Sequence, residues 1–97
     1  MKFTIKGPFK ENIYNLIREI GYHFLRKDEQ NGELEFARPP KGYPRFHLYL
    51  KIEGENPIFN LHLDQKKPIY KGAPAHAAEY EGEVVEQEAE RIKQILR

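Results

Sequence analysis

Between residues 46 and 64 the chain writes one pattern twice. Phe46, Leu48, Leu50 and Ile52 alternate with His47, Tyr49, Lys51 and Glu53. After Gly54-Glu55-Asn56-Pro57, Phe59, Leu61 and Leu63 alternate with Ile58, Asn60, His62 and Asp64. A period of two belongs to a strand with one buried face, because successive side chains leave the pleat on opposite sides. Two such runs around a turn with Gly and Pro predict an antiparallel hairpin. Matching the apolar faces sets Ile52 opposite Phe59, Leu50 opposite Leu61 and Leu48 opposite Leu63. The same register sets Tyr49 beside His62 and His47 beside Asp64, with opposed Cβ atoms about 4.5–5.5 Å apart.

The flanking segments read as follows. Phe3 and Ile5 point inward from a short strand over residues 2–6, which Gly7-Pro8 ends. Phe9, Ile13, Leu16, Ile17 and Ile20 form one stripe of an amphipathic helix. Gly21 stands at the C′ position, where a left-handed residue closes a helix. A strand over residues 22–28 follows, then Asn31-Gly32, the strongest hairpin signal in the chain. Residues 33–37 alternate and form the return strand. Residues 38–44 hold three prolines and a glycine and cannot join a ladder interior. Residues 65–82 read as an irregular loop. Residues 83–96 read as a second helix, with Val85, Ala89, Ile92 and Leu96 inward. Glutamates crowd its start and Lys93 and Arg97 its end, as the helix dipole favours.

The predicted fold is a single α+β domain over residues 1–97. A mostly antiparallel sheet of four or five strands carries two helices on one face, in the order β-α-β-β-β-β-α. At 97 residues there is room for one core. With 39% hydrophobic residues and a net charge of +1, the chain is too apolar and too neutral for disorder. Both helices serve one sheet face, so the other face and its rim loops are where function is expected.

The chemistry on that face is narrowed by what is missing. There is no cysteine, which excludes disulfides, zinc fingers and thiol catalysis. No GxxxxGK[ST], GxGxxG or GxSxG sequence occurs. No apolar run suggests a signal peptide or membrane span, so a soluble cytoplasmic domain is expected.

His62 and Asp64 are two apart on one strand and share a face, with His47 across the ladder and His76 in the long loop. Imidazole and carboxylate suit zinc, non-haem iron or manganese. The metal reading requires His47, His62, Asp64 and His76 to converge. A catalytic reading uses the same four residues without metal. Asp64 orients one imidazole as general acid or base, and Lys51 or Arg45 stabilises a phosphate, as in a small hydrolase or nuclease.

The reading placed first is a binding module for RNA or single-stranded nucleic acid. Two basic loops contain aromatics, Arg38-Pro39-Pro40-Lys41-Gly42-Tyr43-Pro44-Arg45 and Lys66-Lys67-Pro68-Ile69-Tyr70-Lys71-Gly72. Arg38, Lys41, Arg45, Lys66, Lys67 and Lys71 would meet phosphates. Tyr43, Tyr70 and Tyr49 on the polar face would stack on bases. A third reading is an adaptor that meets a protein partner, or a second copy of itself, through an exposed edge strand.

The order helix, three antiparallel strands, helix resembles double-stranded-RNA-binding folds. Leu16 to Arg26 is similar to the start of small HicA-type toxins that cut messenger RNA. Those toxins carry a histidine on the strand after the first hairpin turn, where this chain has Glu33-Leu34-Glu35-Phe36. The RNA-binding domains open their last helix with lysines, where this chain is acidic from Glu79 to Glu88. No residue is carried over from either family.

Overall fold

A computed structural model describes residues 1–54, 56–65 and 82–96, and the backbone of 78–79. The elements are β1 (Lys2–Thr4), α1 (Ile13–Glu19), β2 (His23–Lys27), β3 (Leu34–Arg38), β4 (Arg45–Lys51), β5 (Ile58–Asp64), β6 (Ala78–Glu79) and α2 (Glu83–Leu96). All pairings are antiparallel. The sheet order is β1-β5-β4-β3-β2, and the two-residue β6 pairs with the far end of β5. The α+β class and the element order match the expectation, except that β6 lies inside the segment read as irregular.

The core lies between the sheet and the two helices. Leu34, Phe36, Leu48, Leu50, Phe59 and Leu61 come from the sheet, Ile17 from α1, and Val85, Ala89, Ile92 and Leu96 from α2. The α2 stripe is thus the one its spacing predicts. No described helix is long and apolar enough to cross a membrane.

Three local expectations need correction. The first helix begins at Ile13, because Asn12 caps it by accepting a hydrogen bond from the Tyr14 amide at 2.7 Å. Phe9 lies upstream of that cap and still packs against the core. The Asn31-Gly32 connection is longer than a two-residue turn. The Gly32 amide donates to the Asp28 carbonyl, and the Asp28 amide donates to the Glu33 carbonyl.

The third correction is the register of β4 on β5. Leu50 faces Phe59, Leu48 faces Leu61 and Phe46 faces Leu63. Ile52 falls outside the strand and is half exposed. A slip of two residues keeps every side chain on its face, so matching apolar faces cannot detect it. The turn decides: Gly54 takes φ 61°, the Asn56 amide closes on the Glu53 carbonyl, and the connection absorbs residues 52–57.

Gly21 closes α1 with φ 98°, in the left-handed region, as its position predicts. A Cβ there would also sit 2.9 Å from Cδ of Arg38. Glycine is therefore favoured by the backbone, and a larger residue would also displace the Arg38 side chain that passes over it.

Candidate metal centre

The face opposite the core carries Glu35 from β3, Arg45, His47 and Tyr49 from β4, and Asn60, His62 and Asp64 from β5. The corrected register sets His47 directly opposite His62, Tyr49 opposite Asn60 and Arg45 opposite Asp64. The expected pairs Tyr49–His62 and His47–Asp64 are therefore diagonal neighbours, not cross-strand partners. They still touch, because diagonal neighbours on one face lie within reach of long side chains.

Asp64 lies between the two imidazoles. Its Oδ2 is 3.3 Å from His47 Nδ1, and its Oδ1 is 3.1 Å from His62 Nε2. Glu35 Oε1 lies 3.0 Å from the other His47 nitrogen, Nε2. Each carboxylate has its own arginine. Arg45 Nε is 3.4 Å from Asp64 Oδ2, and Arg26 Nη1 donates to Glu35 Oε1 at 2.6 Å. The rings of His47, Tyr49 and His62 pack on one another, with centroids 4.5, 4.8 and 5.4 Å apart.

These histidines are buried, His47 at 6% and His62 at 3% exposure. The face was expected to be solvated, and at this point it is not. Burial pushes the His62 imidazole down to about 4; the His47 charge adds to that, and the Asp64 carboxylate works against it. At neutral pH His62 is therefore an uncharged imidazole, the form that ligates metals.

His47, His62 and Asp64 each offer a ligand atom, and these atoms lie within 4.8 Å of one another. His76 falls outside the described residues, as do Lys66, Lys67, Tyr70 and Lys71. In the other basic loop, Lys41 is exposed and Tyr43 is 36% exposed. The Arg45 guanidinium lies 4.9 Å above the Tyr43 ring.

Arg38 corrects the loop expectation: it ends β3 opposite Phe46 and lies on the other side of the sheet. It has the parity of Leu34 and Phe36, faces the helices, and donates from Nε and Nη2 to buried Glu88 at 3.2 and 3.0 Å.

Two residues that matter here escaped the sequence reading. Glu35 has the right parity for the polar face, since Leu34 and Phe36 point inward. Only the β3–β4 register brings it beside His47. Glu88 lies within the stripe of α2, three residues after Val85 and four before Ile92. That spacing was its one signal, and a glutamate in an acidic helix is ordinarily solvated. Family models, curated proteins and solved structures yield no match to this chain.

Proposed function

We propose that this domain binds a divalent first-row transition metal through His47 Nδ1, His62 Nε2 and an Asp64 oxygen. The observation that carries the reading is the meeting of two imidazoles and one carboxylate within 4.8 Å. Ligands about 2.0–2.2 Å from a tetrahedral ion sit roughly 3.4 Å from one another. His62 Nε2 lies 3.1 Å from Asp64 Oδ1 and His47 Nδ1 3.3 Å from Oδ2, spacings of that order.

Glu35 supplies the outer support. With Nδ1 on the metal, His47 Nε2 carries the proton and donates to Glu35, which sets the tautomer and the ring angle. Two histidines and one carboxylate leave coordination positions for water or a small ligand. The donor set suits Fe²⁺, Mn²⁺ and Zn²⁺.

The test uses tag-free protein stripped with a chelator. Zn²⁺ or Mn²⁺ is expected to raise the unfolding temperature by several degrees. Saturation at a hundredfold Kd corresponds to about 2.7 kcal/mol. His47→Ala and Asp64→Asn lose the effect, while His23→Ala, at an exposed position, keeps it. No shift with either ion, or an equal shift in His47→Ala, removes the proposal.

A second reading keeps the 38–45 loop as a contact for single-stranded RNA. It is favoured by Tyr43 lying exposed under Arg45 beside Lys41. Two of its cations are already engaged, Arg38 by Glu88 and Arg45 by Asp64. Salt-dependent binding of single-stranded RNA that is lost in Lys41→Glu and Tyr43→Ala supports this reading. Binding indifferent to salt and to both variants rejects it.

A further inference from the structure

We infer that the outer edge of β2, with the notch between it and α1, is a docking site for an extended acidic segment of a partner protein that adds to the sheet as a further strand. This site lies apart from the histidine cluster and does not depend on metal. Among the described residues β2 pairs with β3 alone, and the other side of its backbone carries no ladder there. A free edge of this kind is what strand addition uses.

The side chains along the edge select the occupant. Phe24 is 50% exposed and Tyr14 of α1 is 40% exposed, and their rings meet edge to face at 5.9 Å. Beside them is a notch of about 160 Å³ lined by Tyr14, Arg18, Tyr22, His23, Phe24 and Phe36. It has room for one apolar side chain and an arginine at its rim.

The charged residues of β2 are basic, Arg26 and Lys27, with His23 at its start. Arg26 is held by Glu35 across the pair. Among the described residues neither Arg18 nor Lys27 has an ion-pair partner. Phe24 faces Phe36 and Lys27 faces Leu34 across the ladder, so both lie on the helix side with Arg18, and a strand with an apolar residue for the notch and carboxylates beside it on that same side meets both features.

Pairing of two copies about Arg26 sets that arginine against itself, and like charges directly opposite are destabilising. The irregularity between Phe24 and Arg26 also kinks the strand, a device that discourages edge-to-edge association of copies.

The probes are two short alternating peptides. One carries a central phenylalanine flanked by glutamates on one face and valine and threonine on the other; the second has lysine for each glutamate. Amide NMR shifts are followed during titration into the intact chain. The acidic peptide is expected to shift the amides of residues 23–27 and those around Tyr14 and Arg18. Its affinity falls about tenfold or more in the surface variant Arg18→Glu/Lys27→Glu. Phe24→Ala weakens it independently of charge.

Equal binding of both peptides overturns the proposal, as do shifts centred elsewhere or no binding at about 1 mM. A dimer in sedimentation that protects the β2 amides overturns it in favour of self-association.

Discussion

Glu88→Ala lowers the free energy of unfolding by about 3 kcal/mol, toward the lower end of what removing one partner of a buried ion pair costs. The carboxylate is 4% exposed and is fully used. Oε2 accepts from the Tyr22 hydroxyl at 2.6 Å and from Arg91 Nη2 at 2.9 Å. Oε1 accepts from Arg38 Nη2 at 3.0 Å and Arg91 Nε at 2.8 Å. Arg91 Nη2 also donates to the Ile20 carbonyl at 2.6 Å, tying α2 to the end of α1.

Burial pushes the Glu88 carboxyl up, but the hydrogen bonds from Arg91, Tyr22 and Arg38 outweigh it and hold the group below its ordinary value. Removing the carboxylate strands the Tyr22 hydroxyl, which lies 1% exposed. The two arginines are 36% and 34% exposed and can turn to water, which keeps the cost at the low end.

Each kcal/mol is worth about 4–8 °C in a domain of this size, so melting should fall by more than about 10 °C. Glu88→Gln retains an acceptor and loses the charge, and is expected to lie between the two. Urea unfolding of the three proteins measures the series. A loss below about 0.5 kcal/mol for the alanine variant would mean that the network is ornamental, since that is the spread of neutral surface changes.

Acidification destabilises the metal-free protein in a window set by His62. The unfolded imidazole titrates near 6.5 and the folded one near 4. Between those values the unfolded chain binds a proton that the folded chain refuses, so stability falls as pH falls. The contribution is full above 6.5 and is lost by about 4, an order of about 3 kcal/mol. The groups that face His62 are Asp64 and His47, with the N-terminal ammonium contributing at longer range. Met1 is held there by a hydrogen bond from its ammonium to the Leu61 carbonyl at 2.8 Å.

Glu88 has the opposite displacement. Its contribution is present above the ordinary carboxylate value of 4.5 and is lost as pH falls through the lower folded value. The two windows therefore separate. Urea midpoints recorded from pH 7 to pH 4 with chelator present should slope downward in the native protein and run nearly flat in His62→Phe. Parallel slopes in both would assign the acid sensitivity to another group.

The fold was legible wherever a signal was local. Alternation over 46–64 determined the faces, the spacing of α2 its inward stripe, and Gly21 the end of α1. The site was legible by the same rule: the parity of His47, His62 and Asp64 placed them on one surface before any pairing was known.

What could not be read depended on contacts far apart in sequence. Register within the β4–β5 hairpin is blind to a two-residue slip, so cross-strand partners were misassigned while their face was right. Arg38 read as a loop cation because its carboxylate is on α2, fifty residues away. Glu35 drew no functional reading because its histidine is on the next strand. The 97 residues alone determined which side of each element is oily, since periodicity is written along the backbone. Only the tertiary structure decided which acid meets which base. Ion pairing is a matter of a few ångströms between distant segments, and those are set by turn length, register and helix docking together.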